Sequence, residues 1–288
     1  MGFKVTCESS ADLNQDMYKK LGVAVLPFTI SIGGKDYKDG IDIDNAKLYA
    51  EVDRTGTLPK TSALNEMDYE EFFRANVNDD GLIHICLSSK ISSTYNNAVN
   101  ASKQFNNVYV VDSESLSSGM GLQVMYASEM SSKNVPVELA VKKLEERRPH
   151  MQISFVVDTL KYLHKGGRCS ALALLGANLL SIKPQILLKD GKMTVGKKYR
   201  GKIHKVLKEY VIDTLQEFNQ PDRDLCLITY SSATPEMLET VHSTLNELNA
   251  FDNIIETTAG ATVATHCGPN TLGIIYYNDG GADKYEYL

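Results

Sequence analysis

Short apolar runs rich in β-branched residues alternate with stretches of helical spacing through the first half of the chain. Phe3 to Cys7 reads as a strand, a helix follows to about Leu21, and Val23 to Ile30 reads as a second strand before the Gly33-Gly34 turn. Helical spacing returns over Asn45 to Asp53 and Glu66 to Asn76, on either side of an irregular loop, Thr55 to Ser62, that contains Gly56 and Pro59. Leu82 to Leu87 has the length and composition of a buried strand, Thr94 opens a helix, and Asn107 to Asp112 is a further strand. Helices over Ser117 to Ser132 and Pro136 to Arg148 complete this half. The alternation predicts a three-layer α/β/α sandwich around a mostly parallel sheet. The turn Arg147-Arg148-Pro149-His150 ends it, giving a first domain of residues 1–150 and a second of 151–288.

The second half has a different rhythm. Ile153 to Val157 reads as a strand, Thr159 to His164 as a short helix, and Lys165-Gly166-Gly167-Arg168 as a turn. Ala171 to Ile182 is apolar almost all round and is therefore expected to be buried. Gln185 to Leu188 and Lys192 to Val195 flank Asp190-Gly191, a favoured hairpin turn. Ile203, Val206, Leu207, Tyr210, Val211, Leu215 and Phe218 keep helical spacing. After a strand at Leu225 to Thr229, Thr234-Pro235 opens a helix with Leu238, Val241, Leu245 and Leu248 directed inward. Strands at Ile254 to Thr258 and Leu272 to Tyr277 enclose a loop, Thr265-His266-Cys267-Gly268-Pro269. Hairpins mixed with helices predict a two-layer α+β domain.

The length of 288 residues suits two domains, each able to bury its own core. With 43% hydrophobic and 23% charged residues, the composition is that of a globular protein. A net charge of −6 argues against broad binding to nucleic acid or anionic membrane, while leaving room for a local basic patch and transient membrane contact. The five cysteines are far apart and odd in number, as expected of isolated thiols in a reducing compartment. No signal-peptide core or membrane-spanning run is present, so a cytoplasmic protein is expected.

Hydroxyls gather where strands lead into helices. Ser88, Ser89, Ser92, Ser93 and Thr94 follow one strand, Ser9 and Ser10 another, and Thr61-Ser62 precede a helix. Ser92 or Ser93 is a competent helix cap, but five hydroxyls exceed what one cap requires. The carboxyl ends of strands in open α/β sheets, beside helix N-termini, suit an anionic group. No phosphate loop, dinucleotide fingerprint or G-x-S-x-G elbow is present, and the six histidines show no close metal-ligand spacing, so no cofactor or metal is expected. Ser92, His266 and a carboxylate such as Asp12 or Asp112 leave open a Ser/His acyl hydrolase or transferase.

At Lys161-Tyr162-Leu163-His164-Lys165-Gly166-Gly167-Arg168 the sequence resembles the DegV family. So do Ser9-Ser10-Ala11-Asp12-Leu13, Tyr37-Lys38-Asp39-Gly40, Pro59-Lys60-Thr61-Ser62 and Leu87 to Tyr95. Val111-Asp112-Ser113, Ile182-Lys183-Pro184, Arg200 and Thr265 to Pro269 extend the resemblance over essentially the whole chain. Members of this family resemble fatty-acid-binding proteins that serve as the lipid-carrying subunit of a bacterial fatty acid kinase. The resemblance implies an acyl chain buried between the domains and a carboxylate held by Thr61 and Ser92, with His266 close by and Ser62 and Ser93 beside them. It also implies a partner-facing basic set of Arg168, Arg200 and Lys202, toward an ATP-dependent kinase subunit. Leu172, Leu175 and Leu179 are candidate tunnel walls. Such a chain would be a non-catalytic carrier of a long-chain fatty acid, with a lipid sensor or store as the further alternative. Four positions depart from the family pattern: Glu8 for Asp, Ala63 for Gln, Ser93 for Gly and Asn270 for Gly.

Overall fold

The computed structural model describes residues 2–175 and 182–281. Its elements begin with β1 (Lys4–Glu8), α1 (Gln15–Leu21), β2 (Ala24–Leu26), β3 (Thr29–Ile32), β4 (Lys35–Lys38), α2 (Asn45–Thr55) and β5 (Lys60–Ser62). There follow α3 (Glu66–Asn76), β6 (Leu82–Cys86), α4 (Thr94–Ser102), β7 (Val108–Asp112), α5 (Ser118–Ser132) and α6 (Val137–Arg147). Then come β8 (Met151–Val156), α7 (Lys161–Gly166), β9 (Lys183–Lys189), β10 (Lys192–Tyr199) and α8 (Ile203–Glu217). The last are β11 (Cys226–Tyr230), α9 (Pro235–Glu247), β12 (Ile254–Thr258), α10 (Ala261–Cys267) and β13 (Leu272–Tyr277). No helix among the described residues is long and apolar enough to cross a membrane.

The first large sheet is parallel, in the order β2-β1-β6-β7. The second is mixed, in the order β10-β9-β8-β13-β11-β12, with only β11 and β12 parallel to each other. These are the expected α/β and α+β architectures. The largest apolar cluster joins Val5, Ile83 and Ile85 to Ile153, Ile186, Leu227 and Ile275, so the two halves share a core, while a second cluster around Val206, Leu207, Tyr210 and Val241 lies within the second half. The bridge is α5, which is buried nearly all round and lies between the sheets. Ser118 Oγ near its start forms a closed triangle with Thr229 and Thr257, at 2.5 and 2.8 Å, and those two hydroxyls are 2.8 Å apart. Three buried hydroxyls thereby satisfy one another across the seam.

Several boundaries differ from expectation. The strand expected over Val23 to Ile30 is broken at Pro27, which lacks an N–H, and Phe28 N instead donates to Ser9 Oγ at 3.1 Å. Its two pieces join different sheets, β2 the parallel one and β3 a small antiparallel sheet of order β4-β3-β5. The end of the expected loop Thr55 to Ser62 is the strand β5, paired so that Thr61 faces Ile30. Thr265-His266-Cys267 is not loop but the last turn of α10. The short helix expected from Thr159 starts only at Lys161 and runs on to Gly166. Leu248 stands at the C-cap of α9 and is 46% exposed, past the point where the helix face meets the sheet. The Asp190-Gly191 turn has both residues at positive φ, 49° and 75°, as a tight hairpin requires.

One ion cluster ties the end of α6 to the end of β13. Arg147 is buried, with Nη2 2.6 Å from Asp222 and Nε 2.7 Å from Asp279. Its guanidinium lies 3.7 Å from the centroid of the Tyr277 ring and 5.0 Å from that of Tyr126.

Candidate functional site

Residues from both halves line a cavity of about 200 Å³. Most of its polar lining comes from β5, the turn after β6, and α10. Pairing of β5 with β3 sets Thr61 half-buried at the cavity, with Ser62 and Ala63 beside it. After β6 the backbone N–H groups of Ile91 and Ser92 both donate to Ser88 O, at 2.9 and 3.1 Å, which folds the chain tightly into α4. Ser92, one residue before the N-cap Ser93, accepts with Oγ from Thr94 N at 3.3 Å and so takes up the first N–H of α4, and it also lines the cavity. Ser93 lines the cavity without making a cap bond; its φ of −83° is comfortable for any residue, so Ser in place of Gly brings no strain here. Ser88 turns away, donating to Gly191 O at 2.8 Å and so fastening the β9–β10 hairpin to this turn.

His266 projects from the last turn of α10, and its Nε2 is 2.9 Å from Thr61 Oγ1. The ring packs on Gly166, where a Cβ would lie 2.6 Å from Nδ1; only glycine leaves room for the imidazole. Burial pushes the His266 pKa down to about 4, helped by the positive charge of Arg168, so the ring is neutral at pH 7. Arg168 lines the cavity mouth, with Nη1 donating to Gly166 O at 2.6 Å. The apolar part of the lining comes from Phe28, Leu87, Leu116, Phe155, Met193 and Val263. A further void of about 30 Å³ adjoins it, sharing Leu116, Phe155, Val263 and Cys267.

Thr61, Ser62, Ser92, Ser93, His266 and Arg168 thus meet at one cavity. Arg200 and Lys202 do not line it; they are exposed at the turn between β10 and α8. Leu172 is 3% exposed within the large core rather than on the cavity wall, in a short 3₁₀ turn, Ser170–Leu175, tucked against β10. Leu179 and the side chain of Leu175 lie outside the described residues. Of the hydroxyls near it, His266 pairs with Thr61 and not with Ser92. Asp12 accepts from Gly260 N, and Asp112 from Ser89 N and Glu114 N.

The DegV family model, described as an uncharacterised protein family, matches residues 2–279. The chain belongs to the DegV family. A DegV domain-containing protein of Caldanaerobacter subterraneus subsp. tengcongensis is 31% identical over 277 residues, covering 94% of this chain and 97% of the relative. A DegV family protein of Thermus thermophilus, whose structure is described for its fatty acid binding, superposes with a TM-score of 0.89 at 27% identity, covering 96% of this chain and 99% of that one. A stearic-acid-binding protein of Eubacterium ventriosum gives a TM-score of 0.84 at 26% identity, covering 96% and 98%. The family and the fold expected from the motifs are therefore those found.

The DegV motifs divide by task in this chain. Those around Thr61, Ser92, Arg168 and His266 line the cavity, whereas Glu8 is fully buried and does not line it. Glu8 accepts bonds from the Tyr69 hydroxyl and, at 2.7 Å, from Leu87 N, and burial pushes its pKa up to about 7. Its carboxylate, His84 and Cys86 bring their ligand-type atoms within 4.8 Å of one another, although sequence spacing gives no sign of it. Asn270 adopts φ 55°, which asparagine tolerates in place of glycine. The apolar walls Phe28, Phe155 and Met193 went unnamed in the sequence because they come from three unrelated elements; only the period-2 pairing of Ile153 with Phe155 on one face of β8 hints at them.

Proposed function

We propose that this chain binds one long-chain fatty acid, with the acyl chain against the apolar wall and the carboxylate at Thr61, Ser92 and His266. Ser62 and Ser93 flank the head group. The observation that carries this reading is a single cavity whose lining combines hydroxyls and a neutral imidazole with aromatic and aliphatic side chains. The fatty-acid-binding relatives of the same fold supply the ligand class.

The division of labour follows from magnitudes. Each methylene buried contributes about 0.8 kcal/mol, so affinity resides in the chain. Hydrogen bonds to the charged head contribute about 1.5–3 kcal/mol each and fix its place. With Nε2 protonated, His266 donates to Thr61 Oγ1, leaving the Thr61 hydroxyl hydrogen for the carboxylate. Held by neutral donors rather than by a full salt bridge, the carboxylate keeps its nucleophilicity. That suits transfer of a phosphoryl group from ATP on a separate kinase subunit, to give an acyl phosphate. In this role the chain is a cytoplasmic, non-catalytic carrier without a cofactor, and Arg168, Arg200 and Lys202 face the kinase.

Mass spectrometry of the purified protein, native and then denatured, tests the reading. One fatty acid per chain, released on denaturation, is the expected result. A protein that arrives empty and takes up no added fatty acid overturns it.

A further inference from the structure

The cavity leaves Asp12 and Asp39 without a ligand-facing task, yet both belong to the family motifs and each is 3% exposed. Asp12 Oδ1 accepts from Gly260 N at 2.8 Å and Oδ2 from Ser117 Oγ at 2.5 Å. Asp39 Oδ1 accepts from Ala261 N at 2.9 Å and Oδ2 from Ser9 Oγ at 2.8 Å. Gly260 is the N-cap of α10 and Ala261 its first residue, so the two carboxylates take up N–H groups that lack partners inside the helix. Negative charge at that end also agrees with the helix dipole. Just upstream, Asn14 Nδ2 donates to Glu256 O at 3.1 Å and Asn45 Nδ2 to Ala259 O at 2.6 Å. Four side chains from the start of the sequence therefore hold one short connection in the second half.

The crowding is close. A Cβ on Gly260 would lie 3.1 Å from Asp12 Oδ1 and 3.2 Å from both Asp39 oxygens. The far end of the same helix is held too, by Thr61 on His266. Asp39 directly follows β4, and Thr61 lies on β5 of the same small sheet, so one sheet grips both ends of a helix about 10 Å long.

We propose that Asp12 and Asp39 are positioning residues for His266: they fix the start of α10 against the first half, and the rigid helix carries that constraint to the imidazole at the head-group end. The proposal rests on the assignment of His266 to the head group. Loosening the start of α10 would let the ring leave Thr61 and meet water, and the carboxylate would lose its aligned donors.

The test uses Asp12→Ala and Asp39→Ala beside Asp12→Asn and Asp39→Asn in the delipidated full chain. NMR of labelled histidine follows the His266 titration, and displacement of a fluorescent fatty acid reports affinity. The Ala variants are expected to lower affinity about tenfold and to raise the His266 pKa toward the ordinary histidine range. The Asn variants, which still accept one N–H, should recover most of both. A lowered melting temperature with an unmoved His266 titration overturns the proposal, because it marks a merely structural role. Should the Ala variants fail to fold, Gly260→Ala, whose methyl crowds both carboxylates, is read by the same two measurements with the same criteria. The titration needs no lipid, so a parent chain that binds no fatty acid yet shows the variant shift overturns the carrier reading and leaves the positioning role standing.

Discussion

His84 and His266 present the same imidazole chemistry in two settings. Each has a threonine hydroxyl 2.9 Å from one ring nitrogen, Thr6 for His84 and Thr61 for His266, and a second nitrogen without a partner among the described residues. Burial holds both neutral, with pKa values pushed down to about 3 and about 4. His84, however, is enclosed by the rings of Tyr69, Phe72 and Phe73 at 5.2–6.0 Å and has no exposed surface. His266 lines a cavity together with apolar side chains such as Phe28, Phe155 and Met193. Desolvation and a hydroxyl partner are thus shared by a core histidine and a cavity-lining histidine. What distinguishes them is the space on the far side of the ring.

That contrast breaks if damage to the sealed cluster acts through binding. Phe73→Ala should cost about 3–5 kcal/mol in denaturant unfolding, as expected for a fully buried aromatic, while the folded fraction keeps its fatty-acid affinity. A loss of affinity without loss of stability would erase the distinction.

The next largest effect is on pH dependence. Glu8 beside His84 is raised from 4.5 to about 7, so its contribution to stability is whole below pH 4.5 and is lost as pH rises through 7. By linkage the loss reaches about 3 kcal/mol. His84 works in the opposite sense: its contribution is whole above pH 6.5 and is lost as pH falls toward 3. Comparing Glu8→Gln with the parent chain across pH 4.5 to 7 isolates the carboxyl, and the parent should lose stability relative to the variant as pH rises. Parallel curves would show that Glu8 is ionised throughout.

On the open side the changes are smaller and appear in binding. Thr61→Val keeps the shape and removes the hydroxyl, so calorimetric titration should show affinity falling about fivefold to tenfold with stability changed by less than about 1 kcal/mol. The smallest effect belongs to Arg200→Glu, which should leave lipid retention unchanged and slow phosphorylation by a kinase subunit. Loss of retention there would place Arg200 in the lipid site.

Much of this was legible in the residues. The Asp190-Gly191 hairpin and the strand-helix alternation of the first half follow from local conformational rules and burial periodicity. The strand β5 was not, because three residues are too few to show a period. Nor was α10: Ala261-Thr-Val-Ala-Thr-His-Cys267 has small or β-branched residues nearly throughout, without the polar face that marks an amphipathic helix. The hydroxyls and the imidazole of the cavity could be named from motifs, since chemistry restricts those positions to a few residue types. Its apolar lining could not, since Phe28, Phe155 and Met193 are ordinary core residues until the fold brings them to one cavity. The shared core escaped notice for the same reason: a buried helix such as α5 does not announce which two sheets it serves.

The cluster around Arg147 sets where this fold can be cut or joined to another protein. A chain ended after Tyr277 would retain every described strand and still strip a buried guanidinium of Asp279, one of its two carboxylates. It would also lose the bond from Gly280 N to Gln220 O. A fusion junction or protease site set directly after β13 would therefore break this cluster, because the carboxylate that holds the guanidinium lies two residues outside that strand.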